Sequence, residues 1–424
     1  MRLLFVIGCV SILAPQLFAQ QFKNVQIPAV SARYPFNECE PSIAINPTNP
    51  DEIAAGSIIQ GYHYSSDGGK TWQSKALKSP YGVYGDPVLQ YDAQGRLYYF
   101  HLSEYKKGAH LDRIVCQYTD QIEGKFSKGS FPAPNGTKVQ DKHWMVIDPK
   151  TQHIYMTWTQ FDAYDSADPK DTSIIVFSKS LDRGQSWSKP VRISKFGGDC
   201  LDSDNTMEGA VPALGANGEI YVTWTGPKGL MFQKSTDGGQ TWLPEEKNLA
   251  PQVGGWDLDI PGIYRANGLP FLMSDQSGGE RNGWLYLNWT DQRNGPDNTD
   301  VWLMKSADGG QTWSEAIRVN QDSSQKHQFL TSMTIDQKNG DLHFVYYDRR
   351  RFKNNRTDVV WAHSTDGGKT FQEKIISETP FLPDQRVFFG DYLGISAVDG
   401  RVRPIWPRMD NGRISLWVAL IDLK

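Results

Sequence analysis

Apolar and polar positions alternate along nearly the whole chain, in short runs of Val, Ile, Leu, Tyr, Phe and Trp broken by Asp, Asn and Gly. Alternation of this kind marks half-buried β-strands, and the breaks mark tight turns. Seven strand–turn–strand units follow one another: 41–58 (PSIAINPTNPDEIAAGSI), 86–102 (DPVLQYDAQGRLYYFHL), 143–159, 210–225, 270–290, 329–347 and 392–406 (YLGISAVDGRVRPIW). Their starts lie roughly 45 to 65 residues apart, the scale of a four-stranded repeat unit. No long segment has helical periodicity, so the pattern predicts an all-β chain.

Five of the seven units are followed by one short motif, Ser-x-Asp-x-Gly-x-Thr/Ser-aromatic. It stands at 65–72 (SSDGGKTW), 180–187 (SLDRGQSW), 235–242 (STDGGQTW), 306–313 (SADGGQTW) and 364–371 (STDGGKTF). The carboxylate can accept nearby backbone N–H groups, Gly supplies a positive φ, and the ring that follows can pack beneath the turn. These stretches resemble the Asp-box (BNR) repeats of the sialidase superfamily of β-propellers. The resemblance implies a β-propeller of four-stranded blades, with structural boxes on the face away from the active site. The second unit leads into a strand and a degraded box at 113–126, and the seventh ends at 413–422 with no room for a fourth strand. Segment 22–28 (FKNVQIP) could supply that strand and remove an exposed edge. The count therefore predicts seven blades closed by the N-terminal strand. Six, the number in sialidases, is the alternative.

Residues 1–19 read as a signal peptide: a short basic start, an apolar run at 3–17 and a small residue, Ala19, at the cut. The run is too short for a good membrane span, and no later segment could serve as a transmembrane anchor. The expectation is a single propeller domain, 20–424, secreted to the periplasm or the extracellular space. The 44 basic and 48 acidic residues leave a net charge of −4, which does not favour nucleic acid as a partner. The 14 Trp, 18 Tyr and 19 Phe suit packing between blades or stacking on sugar faces. Three cysteines beyond the leader, Cys39, Cys116 and Cys200, do not make a disulfide framework.

An acid recurs where the innermost strands begin: Glu40, Asp86, Asp141, Glu208 and Asp391. Clustered carboxylates raise one another's pKa, which suits general acid/base work. They would equally suit a hard cation such as calcium, or cap strand starts through backbone N–H groups. No cofactor is otherwise implied. The loops between second and third strands are basic, with Arg293 in WTDQRNG, Arg349 and Arg350 in YYDRRRF, and Arg408 in the last blade. Arg presents a planar fork of donors to a carboxylate or sulfate, or it braces a neighbouring blade.

The resemblance adds roles. A sialidase uses a Tyr nucleophile activated by a Glu, and Tyr392 in GDYLGIS and Glu208 in TMEGAVP occupy matching positions. The family's Arg-Ile-Pro at the first inner strand corresponds here to Cys39-Glu40-Pro41, and its general-acid Asp has no counterpart in SIIQGYHYS. Arg293 and Arg349 remain as candidates for clamping a substrate carboxylate. The sequence thus supports two functions: a sialidase-like, exo-acting glycoside hydrolase on carbohydrate or glycoconjugate, or a non-catalytic propeller that binds glycan or protein.

Overall fold

The computed structural model describes residues 22–30, 38–104 and 111–423. Among these, every regular element is a strand. The expected signal peptide lies outside the described residues.

Six blades are four-stranded antiparallel sheets and one, the second, has three strands. The first blade runs Ser42–Ile45, Ile53–Ser57, Gly61–Ser65 and Gln73–Ala76 from the axis outwards. The innermost strands of the next five are Val88–Tyr91, Val139–Ile147, Glu208–Leu214, Phe271–Ser274 and Gln328–Asp336, and that of the seventh is Gly394–Val398. Each of these touches the next in order and the seventh touches the first, so the ring is closed with seven blades. In the seventh blade the outer position is filled by Lys23–Ile27, which pairs with Arg413–Asp422, Lys23 opposite Leu420 and Ile27 opposite Leu416. The N-terminal closure expected from the alternation is therefore present.

The boxes explain how neighbouring blades are held. In the first, the Ser65 hydroxyl donates to Asp67 (2.8 Å) and accepts the Gly69 N–H (2.9 Å), while Asp67 accepts the Thr71 N–H (2.9 Å) and hydroxyl (2.7 Å). The folded turn exposes a glycine carbonyl to a cation of the preceding blade. Arg403 donates to Gly68 (2.9 Å), Lys179 to Gly238 (2.6 Å), Lys234 to Gly309 (3.1 Å) and Lys305 to Gly367 (2.9 Å). The box tryptophans pack edge-on against rings of that same blade, Trp242 on Phe177 and Trp313 on Phe232. In the second blade the turn after Thr119 has no Ser-x-Asp-x-Gly, and its Asp120 is drawn to Arg96 (2.6 Å) instead. There the fourth strand shrinks to one bridge between Cys116 and Ser130.

Arg281, in the first turn of blade five, donates to Thr365 in the box of blade six (3.3 Å), so turns and boxes share one end of the ring. The inner strands begin at the other end. Between blades four and five the chain makes an excursion that the alternation did not signal, a small hairpin of Asp257–Leu258 and Ala266–Asn267. Its Trp256 donates to Thr206 (3.2 Å) and its Pro261 carbonyl accepts from Arg349 (2.6 Å), which fixes it over the mouth of the ring.

Candidate functional site

The starts of the inner strands share a backbone device. Glu40 (φ 51°), Asp86 (φ 50°), Lys142 (φ 48°) and Leu330 (φ 49°) adopt left-handed conformations, as does Gly209 (φ 66°). In blades three, four and six this coincides with a register shift in the sheet. A bulge with one left-handed residue bends the strand and re-aims its side chains. For a residue with a Cβ it costs on the order of 1–3 kcal/mol. The recurrent acids are therefore of three kinds: Glu40 and Asp86 occupy the left-handed position, Asp141 and Glu208 immediately precede it, and Asp391 follows the left-handed Gly390 (φ 92°).

Below these residues Trp144, Phe271 and Tyr392 meet edge to face, with Trp144 5.2 Å from Phe271 and 5.6 Å from Tyr392. They come from blades three, five and seven, which can meet only on the axis. This aromatic cluster floors the mouth.

Above it lies an ionic network. The Lys142 ammonium reaches from blade three to Asp391 of blade seven (2.5 Å) and lies 4.0 Å from Asp86. Arg265, from the excursion, grips the Asp391 carboxylate through two of its nitrogens, one at 2.8 Å, and donates from its third nitrogen to Asp202 (2.8 Å). Asp202 also accepts the Tyr164 hydroxyl (2.6 Å). Asn267 donates to the Asp391 carbonyl (2.8 Å), and the Asp391 N–H donates to Glu40 (3.2 Å). The Asp141 carboxylate accepts the N–H of Lys142 (2.8 Å). Glu208 is fully buried, and neither of its carboxyl oxygens has a hydrogen-bond partner; one oxygen of Asp86 is likewise without one.

Burial and crowding sort the protons. Burial favours neutral Asp391, but Lys142 and Arg265 outweigh it and hold the group ionised far below its ordinary range. Burial also opposes the Lys142 charge, yet Asp391, Asp86 and Asp141 keep it protonated. Burial and the nearby Asp86 push Asp141 up to about 7. Burial, with Asp86 for Glu40 and with Asp202 and Asp141 for Glu208, raises both glutamates well above the usual carboxylate range. Burial, then Asp86 and Glu40, keeps the Tyr392 phenol neutral far above its usual range. One mouth thus holds an ionised carboxylate beside acids that retain protons near neutrality, the arrangement that separates a general acid from a general base.

Glu40, Asp86, Asp141, Glu208, Asp391 and Tyr392 are brought to this mouth; no hydrogen bond joins Tyr392 to Glu208. The four arginines singled out in the sequence are engaged elsewhere. Arg293 forks Asp291 (2.9 and 2.5 Å) and lies over the Trp302 ring. Arg350 bridges Asp348 (2.6 Å) and Glu373 (2.6 Å), and Arg408 pairs with Asp410 (2.8 Å). Arg349 is buried between Pro261, Thr357 and Phe329, and burial lowers its pKa to about 10. Lys142, Asp202, Arg265, Tyr164 and Trp144 were not singled out. Lys142 and Asp202 lie beside acids or in an acidic loop, a usable signal; Arg265 sits in a connector with no repeat pattern. Among the described residues no three His, Cys, Asp or Glu are placed to hold a metal ion, and no helix is long and apolar enough to cross a membrane.

The first box is matched by the family model for the BNR/Asp-box repeat, over residues 63–74. No curated protein matches the chain in sequence. Solved structures do resemble it. A polysaccharide lyase of family PL25, an ulvan lyase, superposes with a TM-score of 0.54 at 13% identity, covering 94% of this chain and 96% of that one. A protein of unknown function from Dyadobacter fermentans gives 0.51 at 12% identity, covering 96% and 99%. The NanB sialidase of Streptococcus pneumoniae gives 0.50 at 11% identity, covering 87% and 83%. At such identities the likeness concerns architecture. With its Asp boxes and its ring of seven antiparallel blades, the chain is an Asp-box β-propeller similar in fold to these proteins.

Proposed function

We propose that this protein acts on glycans, and that the acid cluster at the axial mouth hydrolyses a glycosidic bond. The observation that carries the reading is the proton sorting in one place: Asp391 held ionised, Asp141 and Glu208 held protonated, and Glu208 without a hydrogen-bond partner. In this reading Asp141 gives a proton to the leaving oxygen, and Asp86, with one carboxyl oxygen free of hydrogen bonds and 4.0 Å from the Lys142 ammonium, activates water or attacks the sugar. Asp391 anchors Lys142 and Arg265 and is a positioning residue. Tyr392 lies beside Asp86 and Glu40, so any phenol attack would draw on Asp86 as its base. The neighbours described as sialidase and polysaccharide lyase support carbohydrate as the substrate class. The apolar run at 3–17 supports export.

The test is a screen of the purified protein against chromogenic glycosides, sialosides included, with Asp141→Asn alongside. Hydrolysis abolished in the variant supports the reading; no hydrolysis of any glycoside removes it. A second reading, a binding propeller without catalysis, is favoured by the completeness of the Lys142–Asp391–Arg265 network, which needs no ligand to close. In that case glycans bind and are recovered intact.

A further inference from the structure

Six carboxyl groups meet at the mouth: Glu40, Asp86, Asp141, Asp202, Glu208 and Asp391. Against them, among the described residues, stand two cations, and both are already held by carboxylates. Lys142 is bonded to Asp391, and each of the three donor nitrogens of Arg265 is bonded to Asp391 or Asp202. Recognition of an anionic sugar needs cations in excess of carboxylates. Here the acids outnumber the cations; Arg293, Arg350 and Arg408 are paired with acids of their own blades, and Arg349, one of its nitrogens without a partner, is buried against Pro261 and Thr357.

What the mouth does offer is unmatched acid. Glu208 is completely buried, both its oxygens lack a partner, and it feels the charges of Asp202, Asp141, Lys142 and Asp391. Asp86, from a different blade, has one oxygen without a hydrogen bond, 4.0 Å from the Lys142 ammonium. A buried carboxyl without a partner is destabilising unless something supplies donors. An ammonium group carries three donors and one positive charge, and it fits several converging carboxyls better than a hydroxyl does.

Resting on the glycan reading above, we infer that the sugar received at this mouth carries a protonated amine, and that sugars bearing a carboxylate or sulfate are turned away. Entry of the ammonium brings a positive charge beside the unpartnered Glu208 and drives its proton into solvent. Binding is therefore coupled to proton release.

The experiment uses the full chain and calorimetry at pH 6 with three oligosaccharides of matched length: one of glucosamine, its N-acetylated counterpart, and one of uronic acid. The glucosamine oligosaccharide should bind at least about tenfold more tightly than the N-acetylated one. Its heat should vary with the ionisation enthalpy of the buffer, as proton release requires, and the uronic acid chain should not bind. Glu208→Gln should erase most of that preference; Asp86→Asn gives the same reading should the first variant fail to fold. Equal or tighter binding of the N-acetylated or uronic acid chain overturns the inference and leaves the glycan reading intact. Failure of all three, and of every glycoside in the screen, removes the glycan reading and this inference with it.

Discussion

Replacing Asp141 by Asn removes a titrating proton while keeping the oxygen that accepts the Lys142 N–H. The consequence for stability follows from linkage. Asp141 moves from its ordinary value of 3.8 to about 7 on folding, chiefly through burial and then the Asp86 charge. A group whose pKa is raised in the folded state contributes stability that is fully present below its unfolded pKa and lost as pH rises through the folded one. The window is pH 4 to 7. Within it the folded protein holds one proton more than the unfolded chain, so stability falls by about 1.4 kcal/mol per pH unit from this group, and by about 4 kcal/mol in all. Glu40 and Glu208 are raised as well and add slopes of the same sign. The assay is equilibrium urea unfolding of both proteins at pH 5, 6, 7 and 8. The wild type should lose stability across this range, and the variant should lose it less steeply by about one proton's worth. A wild type whose stability is flat or rises towards pH 8 would refute the reasoning. So would a variant with an unchanged slope, because Asp141 would then be ionised in the folded state.

Lys142→Met should cost about 3 kcal/mol or more, since it leaves Asp391 with Arg265 alone and deprives Asp86 of its nearest cation; urea midpoints measure it, and an unchanged midpoint would show the pair contributes nothing. Deleting residues 22–28 should bare the Arg413–Asp422 edge and promote association, seen as higher-mass species in light scattering; a monomer of undiminished stability would contradict the closure. Ser65→Ala orphans the buried Gly69 N–H and should cost about 1–3 kcal/mol, with activity per folded molecule preserved because the box lies at the end of the ring away from the acids. Activity lost at unchanged stability would place the chemistry at the other face.

The fold could be read from the sequence because blade contacts are local. Strands pair with their neighbours in sequence, so alternation, turns and boxes recur at similar offsets, and among the described residues only the Lys23–Ile27 strand pairs across the length of the chain. Even that strand was legible, because the seventh unit lacked a partner for 413–422. The site was legible only by composition. Which acid meets which cation depends on the closed ring: Lys142 and Asp391 are 249 residues apart, and Arg265 and Asp391 are 126 apart. The left-handed residue at the start of most inner strands shifts the acids by one position between blades, a detail that side-chain type does not encode. For the late-blade arginines the sequence did hold a clue. Asp291 and Arg293, Asp348 and Arg350, and Arg408 and Asp410 stand two residues apart, close enough to pair within one loop.

The axial mouth is a costly way to hold a ring together. The same blades already meet on the axis through Trp144, Phe271 and Tyr392, an apolar contact that needs no charge. Replacing a buried ion pair by packed apolar side chains is often neutral or stabilising, so the Lys142–Asp391–Arg265 network is not required for strength. Around it the chain tolerates left-handed backbone at Glu40, Asp86 and Lys142, a fully buried Glu208 without a partner, and several acids forced to keep their protons. At the box end of the ring the carboxylates of Asp67, Asp237, Asp308 and Asp366 are each satisfied by backbone and hydroxyl donors within their own turn. The acids with raised pKa values therefore gather at one end of the axis, where the excursion carrying Arg265 is fastened by Trp256 and Arg349. A scaffold that satisfies the acids of its boxes within their own turns and leaves Glu208 unpartnered at the axis has the physical profile of a site awaiting a ligand.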